Sequence, residues 1–202
     1  MPNAPLIKIK AATAAEVCAA FTLDDEAVPL LKDGMPPGDF LEALLAQKQY
    51  TPAIDFLAHA LAPRDSIWWG CLCLQHALGN GFSDADRAAC KAAVRWILTP
   101  TEQNRVAAGA PAEAAGPATP AGGLAKAAFQ TGGSIAPPKY PPIPPPPFAP
   151  AEEVALSVKL SSTKPEPARI PETRKLYVEM GMALAEGRFS YAEVRGLTAI
   201  RA

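Results

Sequence analysis

Residues 134–150 constrain the fold more than any other part of this sequence, because nine of these seventeen positions are proline. Proline fixes its own φ near about −65° and has no backbone N–H, so neither a helix nor a central strand continues through such a run. We therefore expect a polyproline II conformation, a left-handed helix without internal hydrogen bonds. This tract divides the chain into a long segment before it and a shorter one after it.

Two roles are open to the proline tract. It is either a ligand for an aromatic-lined groove on another protein, or a rigid strap over the molecule's own helices. In the second case Tyr140, Ile143 and Phe148 would be the pegs that pack on those helices. Helices are predicted on both sides of the tract, and a recognition segment lies more often at a terminus. The pattern therefore favours the strap.

Apolar residues recur at helical spacing on both sides of the tract, which predicts an all-α fold. The most regular stretch, from Asp39 to Thr99, predicts four helices with short links, and hence antiparallel neighbours. Because 49% of the residues are hydrophobic, the chain can bury a substantial core. We expect a compact multi-helix bundle of antiparallel hairpins with a polyproline strap. Its segments are an N-terminal arm (1–12), a helical core (13–133), the strap (134–150), C-terminal helices (151–188) and a partly ordered tail (189–202).

Polar residues just before the apolar patterns predict where helices begin. Thr13 followed by Glu16 is typical of a capping box. The other expected caps are Asp39, Asp65 or Ser66, and Ser83. Further helices are expected to start at Thr101 and at Thr119. A short helix is also expected from Asp25 to Leu31, and one longer helix from Thr101 to Ala115.

The charge pattern argues against nucleic-acid and membrane partners. The net charge is −1, and Lys and Arg are scattered, whereas nucleic-acid binding normally requires a clustered basic face. The N-terminus lacks the basic start and apolar stretch of a signal peptide, and the longest apolar run, around Trp68 to Leu74, is too short to span a bilayer. Four cysteines are too few for a stapled secreted mini-domain of this length. We expect a cytoplasmic protein.

Cys71, Cys73 and His76 form the string that most resembles a reactive site. On a helix, however, side chains two positions apart point in very different directions, so the two thiols cannot both face one ion. Nothing else in the sequence completes four metal ligands. A Cys–His pair of His76 with Cys73 or Cys90 is the basis of an alternative, a small cysteine-dependent enzyme or redox protein. We expect no catalytic residues, no metal and no cofactor.

The adjacent Trp68 and Trp69 point about 100° apart on a helix. Either both belong to the core, or one is buried while the other anchors a partner, since Trp is enriched among interface hot spots. The two readings have equal weight. Together with Tyr140, Ile143 and Phe148, these tryptophans are the candidate partner-binding residues.

The segment Gln49 to Leu61 resembles the turn and second helix of a tetratricopeptide repeat, with a Tyr, an Ala-Ile and an Ala-Leu at matching spacing. Only one such unit is visible, whereas a solenoid requires about three. The likeness therefore supports a helical hairpin and gives no support for a peptide-binding groove.

A wider resemblance is carried by four motifs, which together cover roughly residues 40–188. The motifs are Phe56–Leu61, Trp68–Cys73, Ala93–Arg105 and Gly132–Ser134 ahead of the proline run. The chain resembles an uncharacterised family of small bacterial proteins whose genes lie among those for type VI secretion. That resemblance implies an accessory role in loading an effector, and it supplies no catalytic residues.

These observations lead to one expectation and two alternatives. We expect a non-catalytic protein–protein interaction module, an adaptor or chaperone-like accessory protein. Its partner would be another protein, such as a secretion-system effector or spike component. The alternatives are the cysteine-dependent enzyme and a structural subunit of a larger assembly.

Overall fold

The computed structural model describes residues 5–79, 81–137, 139–164 and 166–189. Over these residues the fold is all-α, as predicted, and no strand is present; an isolated bridge joins Ile9 to Leu61. Short 3₁₀ turns cover Val28–Leu30 and Pro167–Arg169. The helices are α1 (Ala14–Cys18), α2 (Pro37–Ala46), α3 (Tyr50–Ala60), α4 (Pro63–Leu78), α5 (Asp84–Leu98), α6 (Glu102–Ala107), α7 (Gly109–Ala115), α8 (Pro120–Phe129), α9 (Ala149–Ser161) and α10 (Ile170–Ala185).

Several helix starts lie where the capping residues predicted them. The Thr13 hydroxyl accepts from the Glu16 N–H at the start of α1. At α5 the capping box is complete, because the Asp86 N–H donates to the Ser83 hydroxyl at 3.1 Å and the Asp86 carboxylate accepts from the Ser83 N–H. Thr101 and Thr119 cap α6 and α8 in the same way. Local side-chain chemistry therefore fixes these boundaries.

Two predicted caps are wrong, because proline begins the helix earlier. Helix α2 starts at Pro37, so Asp39 lies inside its first turn. Helix α4 starts at Pro63, ahead of both Asp65 and Ser66. Proline suits the first helical position, since its φ is already helical and no N–H is needed there.

Two predicted helices differ in length from the structure. The segment from Asp25 to Leu31 forms only the 3₁₀ turn, which contains Pro29. The expected helix from Thr101 to Ala115 is divided at Ala108 into α6 and α7. Pro111 explains this break, because it has no N–H to donate to the carbonyl of Ala107, four residues earlier.

The interior of the molecule is built around α8 and α9, which pack on each other most extensively. Helix α8 also contacts α4, α5 and α7, and α9 contacts α3 and α4. A Cβ at Gly122 would overlap the Gly116 carbonyl, and one at Gly123 would overlap the Ser157 hydroxyl. The helices therefore approach as closely as glycine permits. Helices that are consecutive in the chain, such as α3 and α4, contact each other less than α8 and α9 do. Antiparallel hairpins of consecutive helices therefore describe only part of the architecture.

Large apolar side chains fill the space between these helices. The largest fully buried ones include Trp68, Trp69, Tyr177, Phe40, Phe56, Leu44, Ile54, Leu57, Ile67 and Ile97. The arm before α1 lies against this core. Its Lys8 N–H donates to the Ala185 carbonyl at 2.9 Å, and the Lys8 ammonium forms an ion pair with Asp65 at 2.8 Å.

Within the residues placed by the structure, no helix has both the length and the apolarity needed to cross a bilayer. The predicted tail at 189–202 lies outside the described residues, apart from Phe189.

Candidate functional site

An apolar groove of about 700 Å³ lies between the α6–α7 pair and the residues that follow α8. One wall is formed by Val106, Gly109 and Ala110, and the other by Ile135 and Tyr140. We call this feature the groove. Its volume lies within the range of about 300–1,000 Å³ that is typical of ligand-binding clefts.

Arg105 ties the two walls of the groove together. Its guanidinium donates to both carboxylate oxygens of Glu102, at 2.6 and 2.7 Å. It also donates to the carbonyl of Phe129 at the end of α8, and to the carbonyl of Ser134 at 3.1 Å. Arg105 is only 4% exposed, so its charge is stabilised by these partners rather than by water. The hydrogen bond from Arg105 also lowers the pKa of Glu102 below its usual value.

The loop that forms the second wall closes at Ser134. The Ser134 hydroxyl accepts from the backbone N–H groups of Ala136 and Ile143, at 3.1 and 3.0 Å. The Ile135 N–H donates to the Ile143 carbonyl at 2.8 Å. Residues 134–137 and 139–143 thus belong to a loop with a hydrogen-bonded base, and Arg105 attaches this base to the helices. We call these residues the clasped loop.

The three aromatic and aliphatic side chains of the proline tract are not pegs. Tyr140, Ile143 and Phe148 are 56%, 53% and 53% exposed, so the expectation that they pack into the molecule's own helices is wrong. Tyr140 lines the groove, and Phe148 retains a tilted ring contact with His59 at 6.1 Å. The physical reason is that the hydrogen bonds of Ser134 and the carbonyl contact of Arg105 hold the loop through its backbone. About half of each side chain therefore stays exposed to solvent.

Both tryptophans of α4 lie in the core. Trp68 and Trp69 are each 0% exposed, which corrects the hypothesis that one of them is a surface anchor. The Trp69 indole N–H donates to the Tyr177 carbonyl at 2.8 Å, and Trp68 packs edge-on against Phe189. Helix α4 is covered by α5, α8, α9 and α10, so neither face that carries an indole reaches solvent.

The cysteines are placed as apolar side chains. Burial raises the pKa of Cys71 to about 12 and raises the pKa values of Cys73 and Cys90 well above the usual range. His76 is exposed, and its Nδ1 lies 3.3 Å from the Tyr177 hydroxyl. A nucleophilic thiol needs a lowered pKa and access, and these thiols have the opposite properties. Among the residues that the structure places, no three His, Cys, Asp or Glu side chains meet as a metal site would require.

Reasoning from the sequence did not identify Arg105, Val106 or Phe129 as parts of a site. Glu102 and Arg105 are spaced as an i,i+3 ion pair, which was a visible signal. That pattern usually indicates a solvated helix surface. Only the position of the clasped loop shows that the arginine is buried and that a groove lies beside it.

The fold and the groove define an all-α protein with an open apolar cleft between a helical pair and a proline-rich loop. Residues 40–185 match a family of unknown function, DUF6931, and the chain belongs to that family. No curated protein and no solved structure matches the chain.

Proposed function

We propose that this protein is a non-catalytic protein-interaction module, an adaptor or chaperone-like accessory protein, which binds its partner in the groove. The observation that carries the proposal is an apolar cleft whose two walls are joined by the buried Arg105. The cleft presents two exposed hydrophobic side chains, Val106 on one wall and Tyr140 on the other.

Exposed apolar side chains that are grouped around a cleft are typical of interaction surfaces. Tyrosine is enriched in such surfaces because it combines a large apolar ring with a hydroxyl group. Beside Tyr140, the exposed Ile143 and the proline run extend the apolar surface beyond the groove. A partner could thus contact the groove and the tract together.

The partner we propose is a type VI secretion effector or spike component, met in the bacterial cytoplasm. The support is the resemblance of motifs such as Trp68–Cys73 and Ala93–Arg105 to small bacterial proteins encoded among secretion genes. An accessory protein of this kind would shield an apolar segment of the effector until it is loaded.

The cysteine-dependent enzyme is favoured by no observation on this chain, because burial raises the pKa of the thiols that would have to react. The structural-subunit alternative shares the groove and differs in the lifetime of the complex. A stable complex of fixed stoichiometry would identify a subunit, and a complex that dissociates on loading would identify a chaperone.

Affinity capture with matched variants tests the proposal. Val106→Asp places a carboxylate in the groove. Val28→Asp is its control, since Val28 is equally exposed (52% against 50%) and does not line the groove. Proteins captured from the source bacterium by the full chain are quantified by mass spectrometry, and each candidate is then purified and titrated by calorimetry.

We expect a partner whose binding is lost with Val106→Asp and retained with Val28→Asp. If both variants bind every recovered protein as well as the unchanged chain does, the groove is not the binding surface and the proposal is wrong.

A further inference from the structure

Residues 141–147 contain six prolines around Ile143 and lie on the surface of the molecule. All seven are exposed except the half-buried Pro145. Proline fixes φ and also restricts the residue before it to extended conformations. In this segment, which we call the tract, φ is fixed at six positions and five residues precede a proline, so polyproline II is favoured without any partner to impose it.

Both ends of the tract are held. Ile143, the third residue of the tract, is hydrogen-bonded through its N–H and its carbonyl to the base of the clasped loop. At its end, the Ala149 N–H donates to the Pro146 carbonyl at 3.3 Å, and α9 begins at Ala149. Little conformational entropy remains to be lost when such a segment binds.

The spacing of the prolines creates a continuous outer edge. Polyproline II has three residues per turn, so Pro141, Pro144 and Pro147 share one edge, and all three are exposed. We call these three residues the proline edge. An aromatic-lined groove recognises such a ridge, because flat rings pack against pyrrolidine rings one turn apart.

The backbone of the tract can accept hydrogen bonds from a partner but has no free N–H group to donate. Its six prolines have carbonyl acceptors and no N–H donors, and the N–H of Ile143 is already donated to Ser134. A partner must therefore supply donors to the tract. Indole N–H and tyrosine hydroxyl groups combine a donor with an aromatic ring, and this pair of properties is what the tract requires.

Charge also favours one kind of partner. Lys139 is the only charged residue between positions 134 and 151. Its ammonium lies 5.1 Å from the centre of the Tyr140 ring, at the start of the tract. An acidic side chain at one end of the partner's groove would thus pair with Lys139 and determine in which of its two orientations the tract binds.

We propose that the tract is a preformed polyproline II ligand. It is presented to a partner domain whose groove is lined by Trp and Tyr and is acidic at the end that meets Lys139. This inference rests on the proposed function and adds the chemistry of the partner to it.

Calorimetry with two purified probes tests this inference. The probes are an SH3 domain and a WW domain, because both bind polyproline II segments in aromatic-lined grooves. Each is titrated with the full chain, with a peptide of residues 139–148, and with an edge variant in which the three residues of the proline edge are alanine. Pro29→Ala is the control, since Pro29 is exposed and lies outside the tract.

We expect at least one probe to bind the full chain as tightly as the peptide or more tightly. We also expect at least tenfold weaker binding to the edge variant and an unchanged affinity for Pro29→Ala. A peptide with the same alanine substitutions repeats the comparison without any requirement for folding.

Three results would overturn the inference: neither probe binds the chain or the peptide, the peptide binds while the full chain does not, or the edge variant binds as well as the unchanged chain. These failures are distinguishable from failure of the proposed function. Capture that is lost with Val106→Asp but is indifferent to the edge variant would leave the groove as the binding surface.

Discussion

Arg105→Met removes the guanidinium that joins α6, the end of α8 and the clasped loop, while the apolar part of the side chain is kept. The carbonyls of Phe129 and Ser134 then lose a charged donor. Glu102 stays 66% exposed, so its carboxylate is solvated by water in the variant. The cost of the substitution therefore arises mainly at the two carbonyls.

The magnitude follows from these two contacts. A hydrogen bond with one charged partner contributes about 1.5–3 kcal/mol. Both carbonyl groups belong to half-buried residues, where water replaces part of the lost interaction, so we expect about 3 kcal/mol in total. For a chain of this size that corresponds to a fall in Tm of about 6–12 °C.

Thermal and urea unfolding, followed by circular dichroism, measure the change in the free energy of unfolding. Arg95→Met is the matched control, because Arg95 is exposed on α5, and a change within about 0.5 kcal/mol is expected there. Arg105→Lys keeps the charge but not the planar fork of donors, so it should recover less than half of the loss.

A local measurement separates release of the loop from general destabilisation. Trypsin cleaves after Lys139, which lies in the clasped loop, and we expect this cleavage to accelerate in Arg105→Met but not in Arg95→Met. If Arg105→Met unfolds within about 1 kcal/mol of its control and is cleaved at the same rate, the guanidinium does not hold the loop, and our account of the groove is refuted.

Gly122→Ala should destabilise the fold by about 2 kcal/mol, although alanine is the better helix former, because the added Cβ overlaps the Gly116 carbonyl. Gly132→Ala is the control, since a Cβ at Gly132 would lie in open space. Equal Tm values for the two variants would contradict the packing argument. Trp69→Phe removes a buried hydrogen bond and should lower the free energy of unfolding by about 1–3 kcal/mol in urea titrations. The affinity for the partner should be unchanged. A selective loss of binding would show that the Trp69 indole contacts the partner. The four thiols should react with Ellman's reagent at pH 8 slowly in the native protein and completely in denaturant. The reason is that burial raises the pKa even of the half-buried Cys18 to about 11. Fast and selective reaction of one thiol would support the cysteine-dependent enzyme instead. The hydrogen bond from Arg105 lowers the pKa of Glu102, so the contribution of Glu102 to stability is present above its unfolded-state pKa and is lost as the pH falls through its folded-state pKa. Glu102→Gln should flatten this part of the plot of unfolding free energy against pH. An unchanged plot would show that the Glu102–Arg105 pair does not cause the pH dependence.

Much of the secondary structure was predictable because it depends on neighbours in the sequence. The hydroxyls of Thr13, Ser83 and Thr119 act within three residues, so their caps could be read directly. The interruption at Ala108 was visible in principle from Pro111, whose missing N–H acts four residues earlier. The all-α class follows from the apolar periodicity on both sides of the proline tract.

The candidate site depended on contacts between distant residues. Arg105 reaches Phe129 and Ser134, 24 and 29 positions away, and no local pattern distinguishes this arginine from one on a solvated helix face. The same holds for the two tryptophans, since burial on every side of α4 depends on where α8, α9 and α10 pack.

The helical class and several helix starts could be predicted from the sequence, because they depend on backbone dihedral angles and hydrogen bonds within a few residues. Which apolar side chains stay in water depends on the tertiary structure. Tyr140 and Ile143 are exposed, whereas Trp68 and Trp69 are buried, since burial depends on the atoms that distant segments bring alongside a residue rather than on its own hydrophobicity.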